Sequence, residues 1–155
     1  MKPLPFARDM NEIEKTYRKR ISLFKDLLDC IDNERDFLIN QDINGLWTSM
    51  DEKTKIMESI RETGDYIKKI AGNEPTYQDI PLKDRSTFRE LYRTLSNLRE
   101  EIKVRVVENV SFISETLDFF HDIVTTLTQT GAGEDSYGPI RNNLREFSHI
   151  YHSEV

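Results

Sequence analysis

The chain has a single cysteine, Cys30, in 155 residues. No internal disulfide can form, so packing and hydrogen bonding must hold the fold, as in a reducing compartment. Glycine and proline are sparse, at six and five residues, while apolar residues make up 37% and charged residues 32%. Few chain breakers and many charges point to a soluble, mostly helical protein of one modest-cored domain. No run of 18 uncharged apolar residues occurs, so no direct membrane insertion is expected. The N-terminal MKPLPFARDM brings in Asp9 before any apolar run, unlike a secretory signal, and the expected location is cytoplasmic. A net charge of −6 argues against nucleic acid or an anionic membrane surface as the main partner.

What the chain does have is helical periodicity. From about 9 to 40, Met10, Ile13, Tyr17, Ile21, Phe24, Leu27, Leu28, Ile31 and Leu38 recur at 3–4 spacing. That pattern predicts an amphipathic helix of about 32 residues, roughly 48 Å long. Asp42 stands as an N-cap before a second helix, about 42–71, with Ile43, Leu46, Met50, Ile56, Met57, Ile60, Ile67 and Ile70 as its apolar line. So short a connection folds the two back as an antiparallel hairpin. Two polar residues interrupt the lines, Glu34 on the first helix and Lys53 on the second. The pairs Glu34/Lys53, Leu38/Leu46 and Ile31/Met57 are all centred near residue 43, which sets Glu34 opposite Lys53. The expectation is a structural ion pair that fixes register more than it adds stability. The alternative is two long side chains reaching water independently.

Residues 71–86, AGNEPTYQDIPLKDRS, show no period and connect to a third helix capped by Asp84 or Ser86. Its line begins Phe88, Leu91, Leu95, Leu98, Ile102, Val106, Val110 and continues to Leu127. The expected helix spans about 84–130, roughly 68 Å, and overhangs the hairpin by about 20 Å. Gly131 and Gly133 stop it. In the tail, 131–155, Ile140, Leu144, Phe147, Ile150 and Tyr151 suggest a short amphipathic helix at about 139–151, which must dock on something or fray. The fold class is therefore all-α: a helical hairpin plus a longer third helix, a coiled-coil-like three-helix bundle, with that short C-terminal helix.

The stretch ENVSFISETLDFFHDIVTTL, 108–127, breaks several local rules at once. Besides the core line through Ile113, Leu117, Phe120, Val124 and Leu127, it carries a second apolar line through Phe112, Phe119 and Ile123. It is rich in β-branched residues, which lowers helix propensity. Glu108, Glu115, Asp118, Asp122, Glu134 and Asp135 face no Lys or Arg anywhere between Val106 and Ile140. Acids near a helix C-terminus oppose the macrodipole. Such clustered violations are expected at functional surfaces. One reading is a groove for a partner's amphipathic helix, with Phe112, Glu115, Phe119, Ile123 and Leu127 as the cargo-binding residues. The other is that the tail helix packs on Phe112, Phe119 and Ile123 and closes a four-helix bundle. Both hold if the tail is a displaceable lid. Left uncovered, the same face invites a homodimer when no cargo is present.

Chemistry is sparse. Asp118-x-x-His121 and Glu146-x-x-His149 have the spacing of di-iron carboxylate pairs, but the two further inward carboxylates such a site needs are missing, and no metal is expected. His149 and His152, three residues apart, would at most hold an adventitious metal. Gly131-Ala132-Gly133 lacks the Gly-Lys-Ser/Thr of a phosphate loop. Asn109-Val110-Ser111 fits a glycosylation acceptor but lies mid-helix. Cys30 sits among Asp26, Asp29, Asp32 and Glu34, which disfavour a thiolate, and reads as a packing residue. No cofactor and no enzymatic activity are expected.

The run LLDCIDNERDFLINQDINGLWTSMDEKTKIMESI, 27–60, resembles the FlgN family of flagellar export chaperones. The features that carry the resemblance are Glu34-Arg35 with Leu38, Asp42 before the second helix, Leu46 one turn on, and Lys53 ahead of Ile56-Met57. The 108–127 stretch followed by Ser136-Tyr137-Gly138 resembles the family's last long helix and its Tyr-Gly signature. The resemblance spans roughly 13–138 and implies a cytoplasmic, non-enzymatic chaperone of bacterial flagellar type III secretion. It implies binding to the C-terminal amphipathic segments of the hook–filament junction proteins FlgK and FlgL, which prevents premature assembly. Delivery to the membrane export gate and the ATPase complex follows, with Tyr137 at the position implicated in gate docking. The alternative is a helical-bundle adaptor or scaffold that binds a partner helix and has no link to flagella.

Overall fold

A computed structural model of the chain describes residues 6–71 and 80–129, with side chains from residue 10 onward. Three helices account for nearly all of them: α1 (Phe6–Ile39), α2 (Ile43–Ala71) and α3 (Arg85–Gln129). The described residues form no strand, and the fold is the all-α, three-helix class that the periodicity predicts. The short helix expected at about 139–151 lies outside the described residues.

The α1–α2 turn is built from three residues with distinct tasks. Gln41 adopts a left-handed φ of 56°. Its N–H donates to the Leu38 carbonyl at 3.3 Å, and the Asp42 N–H donates to the Phe37 carbonyl at 2.9 Å. This is the paired closure of a Schellman motif, with Gln in the position usually given to Gly. Asp42 then caps α2: its Oδ1 accepts from the Gly45 N–H at 2.9 Å. Gly45 is required here, because a Cβ would lie 2.5 Å from Phe37 Cδ1. At the start of α3, the Asp84 carbonyl accepts the first helical bond, from Phe88 N at 3.0 Å, which makes Asp84 the cap.

The chain divides into two compact units after Ile102, within α3. In the first unit, α1 buries Met10, Ile13, Tyr17, Ile21, Phe24, Leu27 and Ile31, and α3 buries Phe88, Leu91, Leu95, Leu98 and Ile102. Tyr17 joins the two helices through edge contacts to Phe88 and Tyr92, at centroid distances of 6.0 and 5.2 Å. Such pairs add about 0.5–1.5 kcal/mol beyond the area they bury. Ile80, buried in the connection, has its carbonyl held by Arg85 Nε at 2.9 Å.

α2 departs from the apolar line read in its sequence. Its buried residues are Ser49, Lys53, Thr63 and Ile67, while Leu46, Met50, Ile56, Met57, Ile60 and Ile70 are half-buried and Ile43 is exposed. Its seam against α1 is therefore largely polar. Cys30 Sγ donates to the Ser49 carbonyl at 3.3 Å, and Ser49 Oγ donates to the Cys30 carbonyl at 3.4 Å. One turn further along each helix, Lys53 Nζ lies 3.5 Å from Glu34 Oε1. With 30/34 on α1 and 49/53 on α2 spaced at i, i+4, the four residues form a buried polar block within the hairpin.

Glu34 is fully buried and the Lys53 side chain is 6% exposed. Burial pushes the Glu34 carboxyl above its usual range, against the pull of Lys53 and Ser49. Burial likewise pushes the Cys30 thiol up, with Glu34 and Glu52 adding to the rise against Ser49 and Lys53. Cys30 is accordingly an inert thiol inside the seam. Burial of both groups offsets most of their mutual attraction, so the pair adds little net stability.

Candidate functional site

In the second unit, the described part of α3 runs from Lys103 to Gln129. Its buried positions are Val106, Asn109 and Ile113, at spacings of three and four. Asn109 is 1% exposed. Beyond Ile113 no described residue is buried: Thr116, Leu117 and Val124 are half-buried, and the rest are exposed.

The sequence reading drew a core line through Phe120 and Leu127 and a separate second face through Phe112, Phe119 and Ile123. The structure corrects that division. Phe119 is 62% exposed, and Phe120, Ile123 and Leu127 are exposed as well, whereas Phe112 is half-buried. Periodicity identified residues that share a face, but both lines reach the surface here. The Phe119 and Phe120 rings contact each other edge-on at 6.1 Å. Residues 119, 120, 123 and 127, at helical spacing, present a continuous apolar strip two turns long.

Exposed acids flank that strip. Glu115, Asp118 and Asp122 are all exposed, and α3 contains no Lys or Arg after Arg105. Glu108, half-buried, is within 3.4 Å of Arg105. Local hydroxyls are turned inward along the helix: Thr116 donates to the Phe112 carbonyl, Thr126 to the Asp122 carbonyl, and Thr128 to the Val124 carbonyl. Satisfied in this way, they leave the strip to apolar atoms. An exposed aromatic-aliphatic strip with an acidic rim is suited to receive an amphipathic helix that carries basic flanks.

The other residues singled out in the sequence fall elsewhere. Glu34 and Lys53 meet in the hairpin seam of the first unit. Asp118 and His121 are exposed, and no group of three His, Cys, Asp or Glu among the described residues is placed to hold a metal. Tyr137, Glu146, His149 and His152 lie outside the described residues. Sequence reasoning passed over two features. Phe120 was assigned to the core because it lies on the core line. Ile39, Ile43 and Trp47 are exposed around the hairpin turn, where the apolar pattern alone predicted burial for Ile43.

No helix among the described residues is long and apolar enough to cross a membrane. Compared with known families, the chain matches the model described as FlgN protein over residues 9–143. No curated protein and no solved structure matches it. A match over that span takes in all of α2 and α3 and most of α1, so the chain belongs to the FlgN family of non-catalytic flagellar chaperones.

Proposed function

We propose that this chaperone works in the bacterial cytoplasm and captures the C-terminal amphipathic segments of the hook–filament junction proteins FlgK and FlgL. The exposed strip Phe119, Phe120, Ile123 and Leu127, flanked by acids with no Lys or Arg after Arg105 in α3, is the observation that carries the reading. Phe112 and Glu115 extend it toward the buried part of α3. The cargo segment lays its apolar face on this strip and its basic flanks against Glu115, Asp118 and Asp122. Held there, it cannot polymerise before export. A segment that orders only on binding loses conformational entropy in doing so, which favours a reversible grip suited to handover.

The loaded chaperone delivers its cargo to the export gate and its ATPase complex, with Tyr137 as the docking residue. Without cargo, the strip pairs with a second copy of the chain. The whole of residues 1–155 serves this one task as a single chaperone domain, without cofactor or metal.

The test is titration of the full chain with the C-terminal segment of FlgK from the same organism. Phe119→Asp with Ile123→Asp should abolish saturable binding while leaving helicity unchanged. Binding that survives the double variant would remove the strip as the cargo site.

A further inference from the structure

Cargo-free copies that pair through the α3 strip must bring some segment to it, and the charges beside the strip decide which. Phe119, Phe120, Ile123 and Leu127 are exposed in the single chain, so what covers them without cargo comes from outside. Glu115, Asp118 and Asp122, at i, i+3, i+4 spacing, line one edge of the strip and are exposed as well. Strip laid on strip would bring these three acids of one copy toward the same three of the other. Like charges set together at an interface oppose association. α3 has no Lys or Arg after Arg105 to relieve them, and Arg105 lies within 3.4 Å of Glu108 on its own helix. His121 is one imidazole against three carboxylates.

The segment that covers the strip must therefore be apolar along one line and basic along an edge. The sequence supplies one. The first Lys or Arg after Arg105 are Arg141 and Arg145, within PIRNNLREFSHIY, 139–151. There Ile140, Leu144, Phe147 and Tyr151 recur at helical spacing as a single line. Each arginine follows a residue of that line directly, Arg141 after Ile140 and Arg145 after Leu144, so a helix would carry both on the same edge. Glu146, the one acid among these residues, would fall on the far side. Two arginines four residues apart match Asp118 and Asp122, also four apart.

We propose that in the cargo-free pair each copy lays its segment 139–151 on the α3 strip of the other, with Arg141 and Arg145 against Glu115, Asp118 and Asp122. This rests on the pairing of cargo-free copies proposed above and names the segment that makes it. Exchange of a terminal segment between identical chains closes both strips at once and leaves no strip open for a third copy. The segment takes the place that a basic-flanked cargo helix takes in the loaded chaperone, so the two compete. Cargo must displace the exchanged segments before it can bind, which sets a threshold against weaker ligands.

Sedimentation equilibrium of the full chain, wild type against Arg141→Glu with Arg145→Glu, tests this. The expected result is a wild-type dimer whose dissociation constant rises roughly tenfold or more on charge reversal. Glu115→Arg with Asp122→Arg, added to the reversed chain, should restore pairing, because the two edges again carry opposite charge. The C-terminal FlgK segment should bind the Arg-reversed chain more tightly than it binds wild type at concentrations where wild type pairs. A reversed chain that pairs as tightly as wild type would overturn the proposal in favour of strip on strip. So would a cargo affinity that the reversal leaves unchanged or lowers. A wild type that stays single at every concentration would overturn the exchange together with the pairing it rests on. Failure of the cargo reading shows separately, as no binding of the FlgK segment by either chain.

Discussion

The two ends of α3 carry the same apolar spacing and meet opposite fates. Phe88, Leu91, Leu95, Leu98 and Ile102 are buried, while Phe119, Phe120, Ile123 and Leu127, on the same helix at the same period, are exposed. The charge pattern differs as well. The early turns mix Arg and Glu, whereas no Lys or Arg follows Arg105 in the helix. One helix can thus present a core face and a binding face in succession, and what separates them is what covers the side chains.

The largest expected effect breaks the buried half. Phe88, 1% exposed, contacts Tyr17 and Tyr92. Phe88→Ala should cost about 3–5 kcal/mol in urea unfolding, through lost transfer energy and the cavity left behind. The polar block in the α1–α2 seam comes next. Lys53→Met strands the buried Glu34 carboxylate and should cost about 3 kcal/mol at neutral pH, yet leave cargo affinity unchanged. A large loss of affinity would mean that the hairpin, not α3, forms the binding face.

A smaller effect depends on pH. Burial holds the Glu34 carboxyl above its ordinary value, so the folded chain keeps that proton more tightly than the unfolded chain. The stabilisation this gives is complete below the unfolded value of about 4.3 and is lost as pH rises through the folded value. Glu34→Gln lacks the titration. Wild type should therefore lose stability relative to Glu34→Gln as pH rises above about 4.3, read from the two urea midpoints at each pH. The smallest effect is on the exposed half. Phe119→Asp with Ile123→Asp should change stability by only about 0.5 kcal/mol per site, a few tenths of it from acids added near the helix C-terminus. A loss comparable to that of Phe88→Ala would show those residues to be core.

Much of this was legible in the sequence, and the limits have physical causes. Asp42 as a cap, the short turn and the meeting of Glu34 with Lys53 follow from period and from mirror symmetry about the turn. Ser49 did not stand out, because a serine among other small polar residues does not reveal which face it takes. Gln41 gave no sign of its left-handed φ, since Gln has no preference for that conformation. Most telling is Phe120. Spacing places it on the core line, but spacing says only which residues share a face, never whether anything lies against that face.

The most direct test of the central claim is the temperature dependence of the binding enthalpy when the full chain is titrated with the C-terminal FlgK segment. Capture on an apolar strip predicts 1:1 binding with a clearly negative heat-capacity change, lost together with binding in the Phe119→Asp, Ile123→Asp chain. Saturable binding with a heat-capacity change near zero, or no binding by the wild-type chain, would contradict the assignment of the exposed half of α3 as the cargo surface.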